Sequence, residues 1–246
     1  MRPDGSRKPS KKAPNRHDRA IVVSVLTAVS LSVVGIAVLL GERGDAGRGS
    51  AGTSTQPAGV VGGKGGGILA NVQTPKGNAP TLEIYADFQC DLCGQFEKVM
   101  GSMLTTMAQA GDVKLVFHTL SFVDINLKND SSSRSANAVA CAADAGRFLE
   151  YHAAVFAAQP AEEGAGYTDA QLTEFAGTSG ITGEDFTTWQ TCETSSKYAQ
   201  YVTDVQVSGE KAGVFDTPTV KLNGENITAT LSTPDALSAQ IKAATT

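Results

Sequence analysis

The stretch "YADFQCDLCGQFEKVM" (85–100) carries two cysteines, Cys90 and Cys93, where one local pattern gives way to another. Upstream, "TLEIYADF" (81–88) alternates, with Leu82, Ile84 and Ala86 on one side, which predicts a half-buried strand. Downstream, Phe96, Val99, Met100, Met103, Leu104 and Met107 recur at helical spacing, and Gly111 supplies a stop. Cys90 therefore falls at a strand-to-helix junction, near the helix N-cap. Unpaired N–H groups and the positive end of the helix dipole favour a thiolate there. A thiol with a lowered pKa attacks disulfides and leaves them readily, so Cys90 is the expected nucleophile. Cys93, one turn into the helix, is expected to be buried and to resolve a mixed disulfide.

Two other uses of the pair fit less well. A structural zinc site needs four ligands, often as two short-spaced pairs. The other cysteines, Cys141 and Cys192, are isolated, and His17, His118 and His152 show no ligand spacing. No metal and no cofactor is expected. A structural bridge across so short a loop removes little unfolded-state entropy and stabilises weakly. Cys141 and Cys192 differ in that respect. They lie 51 positions apart in helical segments, and a bridge between them contributes on the order of 4 kcal/mol on the chain-entropy model. They are expected to form a structural disulfide, with two buried thiols as the alternative.

The compartment that permits such a bridge is read from the N-terminus. Residues 1–19 hold seven Lys/Arg against two acids, a net of +5. The chain as a whole carries −5, so the remainder sums to −10. An acidic body excludes nucleic acid as the partner, since phosphate binding needs a basic face. Residues 20–40, "AIVVSVLTAVSLSVVGIAVLL", are 21 residues without charge or proline. That matches the roughly 20 residues of a membrane-spanning helix. It exceeds the roughly 7–15 apolar residues of a cleaved signal, and "GERGDAGRG" offers no cleavage site. The basic arm keeps the N-terminus in the cytoplasm and sends the rest outside, where disulfides persist. The expected localisation is a single-pass cell-membrane protein with an extracytoplasmic catalytic domain.

Residues 41–80 hold 12 of the 26 glycines, and 41–67 read as a flexible linker with an r.m.s. reach of about 30 Å. The folded domain is expected over 68–246. "ILANVQ" (68–73) is a weak strand and "VKLVFHTL" (113–120) a stronger one. An Ala-rich helical stretch covers 131–159, a Thr-capped helix 168–177, and one or two more helices 182–213. Strands then resume at 217–224 and 225–231 around an Asn223-Gly224 turn. "STPDALSAQIKAA" (232–244) closes as a helix capped by Thr233, with Pro234 in its first turn. The expected fold class is α/β: a β-α-β unit, a helical insertion over about 131–213, then β-β-α.

The segments "EIYADFQCDLCGQFE", "SANAVACAADAGRFLEYHAAVFAAQ" and "VFDTPTVKLNG", in that order and spacing, resemble the DsbA-like branch of the thioredoxin superfamily, closest to membrane-anchored actinobacterial forms. The resemblance covers roughly residues 80–224. It implies a thioredoxin-like fold with an inserted helical subdomain. It gives Cys90 the nucleophilic and Cys93 the resolving role, and it places a cis-proline at Pro218, after Thr217. An extended substrate pairs with the Thr217 backbone in such a site. It implies a thiol-disulfide oxidoreductase that introduces disulfides into reduced or misoxidised exported polypeptides. Its redox partner would be a quinone-linked membrane enzyme of the vitamin K epoxide reductase type. No dimerisation segment is visible, so a monomer is expected.

Two departures bear on redox tuning. Asp91-Leu92 stands between the cysteines where the best-known oxidases have Pro-His, and a carboxylate beside Cys90 is expected to raise its pKa and soften the oxidant. The acid often found six residues before the first cysteine is replaced by Ile84, with Glu83 facing the other way. An isomerase or reductase, and a non-catalytic peptide-binding module, are the competing functions.

Overall fold

The computed structural model describes residues 55–71, 74–162 and 164–245. The basic arm, the 20–40 apolar segment and most of the linker lie outside them. Among the described residues no helix is long and apolar enough to cross a membrane.

Five strands form one sheet: β1 (Ile68–Leu69), β2 (Thr81–Ala86), β3 (Lys114–Thr119), β4 (Thr219–Leu222) and β5 (Glu225–Asn226), in spatial order β1-β3-β2-β4-β5. The pair β2–β3 is parallel and the others are antiparallel. The β2–β3 crossover is α1 (Asp91–Gln109), which packs on β3 and on the C-terminal helix α8 (Pro234–Ala243). Gly111 adopts φ 70 just past the end of α1, a left-handed position that glycine takes without steric cost. Leu82, Ile84, Leu115, Leu237 and Ile241 are fully buried and belong to one continuous core.

The helical insertion comprises α2 (Phe122–Leu127), α3 (Ser131–Asp144), α4 (Phe148–Ala157), α5 (Asp169–Thr178), α6 (Gly183–Thr194) and α7 (Ala199–Lys211). The 131–159 stretch thus breaks into two helices. Gly146 takes φ 67, its N–H bonds the Ala143 carbonyl and that of Arg147 bonds Ala142, a Schellman ending that stops α3. The 182–213 segment holds two helices. Thr168 caps α5 in a full capping box with Gln171, and Thr233 caps α8 with Pro234 in its first turn. Cys141 in α3 and Cys192 in α6 are joined by a disulfide, their Cα atoms 5.9 Å apart. Beside it, Trp189 is fully buried and donates its indole N–H to the Ala138 carbonyl (3.1 Å).

Four segments depart from the sequence reading. The insertion starts at Phe122 with α2, ahead of the expected residue 131. The strand expected over 68–73 pairs only at Ile68–Leu69, and that over 225–231 only at Glu225–Asn226 before a 3₁₀ turn at Thr228–Thr230. More telling, residues 55–67, expected within the flexible linker, are packed on the domain. Val60 bridges Ile68, the Ala58 N–H bonds Asp144 (3.0 Å), and the Tyr201 hydroxyl bonds the Gly66 carbonyl (2.9 Å). Glycine here permits close approach: a Cβ on Gly67 would run into Val116 and His118. The folded body therefore takes in residues 55–67, which were expected to belong to the linker.

Candidate active site

Strand pairing explains why residues 127 positions apart meet. The antiparallel register Tyr85↔Thr219 runs β4 back along β2, so the segment just before β4 lies beside the turn just after β2. That turn is closed by the Cys90 N–H donating to the Asp87 carbonyl (3.1 Å), and α1 starts at once. Cys90 is the N-cap itself, in extended conformation (φ −79, ψ 116), and its sulfur accepts the Cys93 backbone N–H (3.3 Å). The Cys90 S–H donates to the Thr217 carbonyl (3.4 Å), and the Thr217–Pro218 peptide bond is cis. The Thr217 hydroxyl is buried and makes no hydrogen bond, so it is available to a thiolate at Cys90.

Cys90 and Cys93 are reduced, with 7% and 1% of their surfaces exposed. Their acidities diverge. A Cys90 thiolate can accept from the Cys93 S–H, the Thr217 hydroxyl and the backbone N–H groups of the first turn, and these hold Cys90 down at about 6 despite burial. Burial raises Cys93 far above the usual thiol range, and the neighbouring Cys90 charge adds to the rise. Two titratable groups pushed apart in this way have separate roles: one attacks as thiolate, the other waits as thiol. Asp91 and Leu92 are both exposed. The softening expected from Asp91 is outweighed by the donors that converge on Cys90, since an exposed charge acts through water.

The sequence reading missed the groups around this pair. Asp87 is fully buried, where its carboxylate accepts from the Gln89 N–H (2.9 Å), the Val123 N–H (3.1 Å) and the Ser132 hydroxyl (2.5 Å). Burial pushes it up to about 7 against those hydrogen bonds. Gln89 donates on to Asp124 and Ser132, which ties the cysteine turn to α2 and α3. Gln159, just past α4, donates to the carbonyls of Phe88 and Cys90 (2.9 Å each). A Cβ on Gly94 would strike that amide, which explains glycine directly after Cys93. Glu97, one turn beyond Cys93, is pushed up to about 7 by burial alone. Burial also depresses His152, 3.8 Å from Glu97, to about 3, so this neighbour is neutral and forms no ion pair. Glu83 does face away from Ile84: it meets His118 (3.2 Å) and the Tyr85 hydroxyl (3.3 Å) on the sheet surface. Among the described residues no group of three or more His, Cys, Asp or Glu is placed to hold a metal ion.

A reduced cysteine pair at a helix N-terminus, opposed by a cis-proline, on a five-stranded mixed sheet with a helical insertion, defines a thioredoxin-type site. The family model described as "Thioredoxin" matches residues 76–243. Solved structures are similar too. Oxidised DsbA of Mycobacterium tuberculosis is 32% identical over 72% of this chain and 89% of its own, with a TM-score of 0.59. A reduced disulfide bond oxidoreductase (DsbG) of the same organism is 32% identical over 70% of this chain and 83% of its own, TM-score 0.59. MdbA, a thiol-disulfide oxidoreductase of Actinomyces oris, is 25% identical over 69% and 83%, TM-score 0.58. No match is found among curated proteins. The chain belongs to the thioredoxin family, on its DsbA-like branch.

Proposed function

We propose that this protein is a thiol-disulfide oxidoreductase in which Cys90 and Cys93 carry the exchange. The observation that carries the reading is the placement of the pair: Cys90 caps α1 beside Thr217 while Cys93 is buried one turn on, which lowers the Cys90 pKa and raises that of Cys93. In the oxidising direction, a substrate thiolate attacks Cys90 Sγ of the Cys90–Cys93 disulfide. Cys93 leaves as thiolate and takes up a proton. A second substrate thiolate then attacks the substrate sulfur of the mixed disulfide, and Cys90 leaves as a stabilised thiolate. The substrate gains a disulfide and the enzyme becomes a dithiol, so two electrons pass to the enzyme. The backbone of Thr217, before Pro218, offers an extended substrate its pairing edge.

The low Cys90 value supports oxidation over reduction, because stabilising the dithiol form makes the disulfide a stronger oxidant. The similar mycobacterial disulfide bond oxidoreductase and DsbA and the Actinomyces thiol-disulfide oxidoreductase support the same class of chemistry. We read the substrates as reduced or misoxidised exported polypeptides. We also read residues 1–19 as a cytoplasmic tail, 20–40 as an uncleaved membrane anchor, 41–54 as the tether, and the domain from 55 on as extracytoplasmic and monomeric. The apolar 20–40 run and the Cys141–Cys192 disulfide support that placement. A quinone-linked membrane enzyme of the vitamin K epoxide reductase type would return the dithiol to the disulfide. The test is oxidation of a reduced, unfolded disulfide protein. Wild type should form its disulfides and a Cys90→Ser variant should not; equal yields from both would sink the reading.

A further inference from the structure

Beside the cis-proline loop lies a cleft of about 240 Å³ that the exchange chemistry does not use. Its walls come from three elements: Leu120 and Phe122 at the β3–α2 junction, Gln206 and Glu210 on α7, and Val214, Phe215 and Asp216 on the segment leading to Thr217. The sequence builds it in a definite way. Gly213 takes φ 75, its N–H bonds the Glu210 carbonyl and that of Val214 bonds Gly209, a Schellman ending that stops α7. The chain then turns, buries Val214 as the floor beside Leu120, and leaves Phe215 76% exposed as a wall. The Ser121 N–H donates to Gln206 (3.1 Å), whose amide donates to Glu210 (2.9 Å), so the facing wall is held in place.

Phe215 sets a large exposed apolar side chain two residues from the Cys90-facing Thr217, at the rim of the cleft. The cleft is smaller than the roughly 300–1,000 Å³ of small-molecule pockets, which suits a single side chain. Its lining includes two carboxylates, Glu210 and Asp216, and no Lys or Arg. In an extended chain, side chains two residues apart point the same way and lie about 7 Å from each other. Phe215 and Asp216, which border the cleft, directly precede Thr217, so a substrate strand pairing along this segment with its cysteine at Cys90 would bring a side chain two residues away toward the cleft.

We propose that the cleft selects extended polypeptide substrates with a large apolar side chain two residues from the reacting cysteine and a Lys or Arg beside it. Phe215, Phe122 and the Leu120–Val214 floor take the apolar side chain, and Glu210 and Asp216 meet the cation. The inference rests on the exchange reading above and names its substrate class.

The test uses the oxidised protein and single-cysteine peptides that carry Leu or Gly two residues to either side of the cysteine, with Lys or Glu adjacent. Reduction of the Cys90–Cys93 disulfide is followed by quenched alkylation and mass measurement, with glutathione as the reference thiol. The Leu peptide should react about tenfold faster than the Gly peptide, the gain expected from burying part of one apolar side chain. Lys should outpace Glu about threefold, and salt should erase that part. In Phe215→Ala the Leu preference should fall to near one relative to that variant's own glutathione rate, and Phe215→Leu should keep most of it. Glu210→Gln should weaken the Lys preference, and Glu210→Gln with Asp216→Asn should remove it, with the Leu preference kept in both. Equal rates for all peptides while glutathione reacts would overturn the cleft's role. No reaction with glutathione or any peptide would overturn the exchange reading itself, and this inference with it.

Discussion

The four cysteines form two pairs that the fold treats in opposite ways. Cys141 and Cys192 sit in the last turns of α3 and α6, 51 positions apart, bonded and packed beside Trp189. Cys90 and Cys93 share one helical turn and are reduced; the Cys90 sulfur caps the helix by accepting the Cys93 backbone N–H, and Cys93 is the more deeply buried. The first pair closes a long loop and so acts on the unfolded state. The second closes almost none, and its value lies in the difference between its two sulfurs. Separation in sequence and position on a helix, rather than the residue type, assign the roles.

The sharpest way to break this contrast is to remove one sulfur at a time. Cys90→Ser should abolish exchange to the uncatalysed level, since no nucleophile remains. Cys93→Ser should instead accumulate mixed disulfides with a substrate, visible on non-reducing gels. Replacing Cys141 and Cys192 together by Ala should do the reverse. It should cost on the order of 4 kcal/mol in denaturant unfolding and leave the exchange rate with glutathione within about twofold, since no donor to Cys90 is touched. A loss of exchange there would collapse the distinction between the pairs.

Glu97 probes the environment of the reactive pair. Its folded value is raised to about 7, so its contribution to stability is fully present below the ordinary carboxylate range near 4 and is lost as pH rises toward 7. Glu97→Gln should therefore be more stable than wild type above pH 7, by about 3 kcal/mol, with the advantage vanishing below pH 4. Denaturant midpoints at several pH values read this directly, and a pH-independent difference would contradict it. The smallest effect is expected at Asp91. It is exposed, and a unit charge 4 Å away through water is worth about 1 kcal/mol. Asp91→Asn should lower the Cys90 midpoint by less than about one pH unit.

The sequence exposed most of the fold because its punctuation is local. The strand-helix switch at Cys90, the Asn223-Gly224 turn (φ 49 and 85) and the Thr233-Pro234 helix start are each set by the residues that form them. The 55–67 segment was read as linker because its ordering comes from distant partners, Asp144 and Tyr201, that glycine-rich composition does not announce. At the site, the cysteines were legible from spacing, and Pro218 came from family resemblance. Asp87 and Gln159 were not, because burial of a polar group is a tertiary fact. Glu97 could have been found: it is four residues after Cys93 and three before Met100, on the buried stripe of α1.

The measurement that bears most directly on the account is the titration of the reduced protein's thiols, followed by thiolate absorbance and by the pH dependence of alkylation at each cysteine. One thiolate, assigned to Cys90 by its absence in Cys90→Ser, should appear with a midpoint near 6, and Cys93 should stay unreactive through neutral pH. A Cys90 midpoint near the ordinary thiol value, or equal alkylation of both cysteines, would contradict the division of roles.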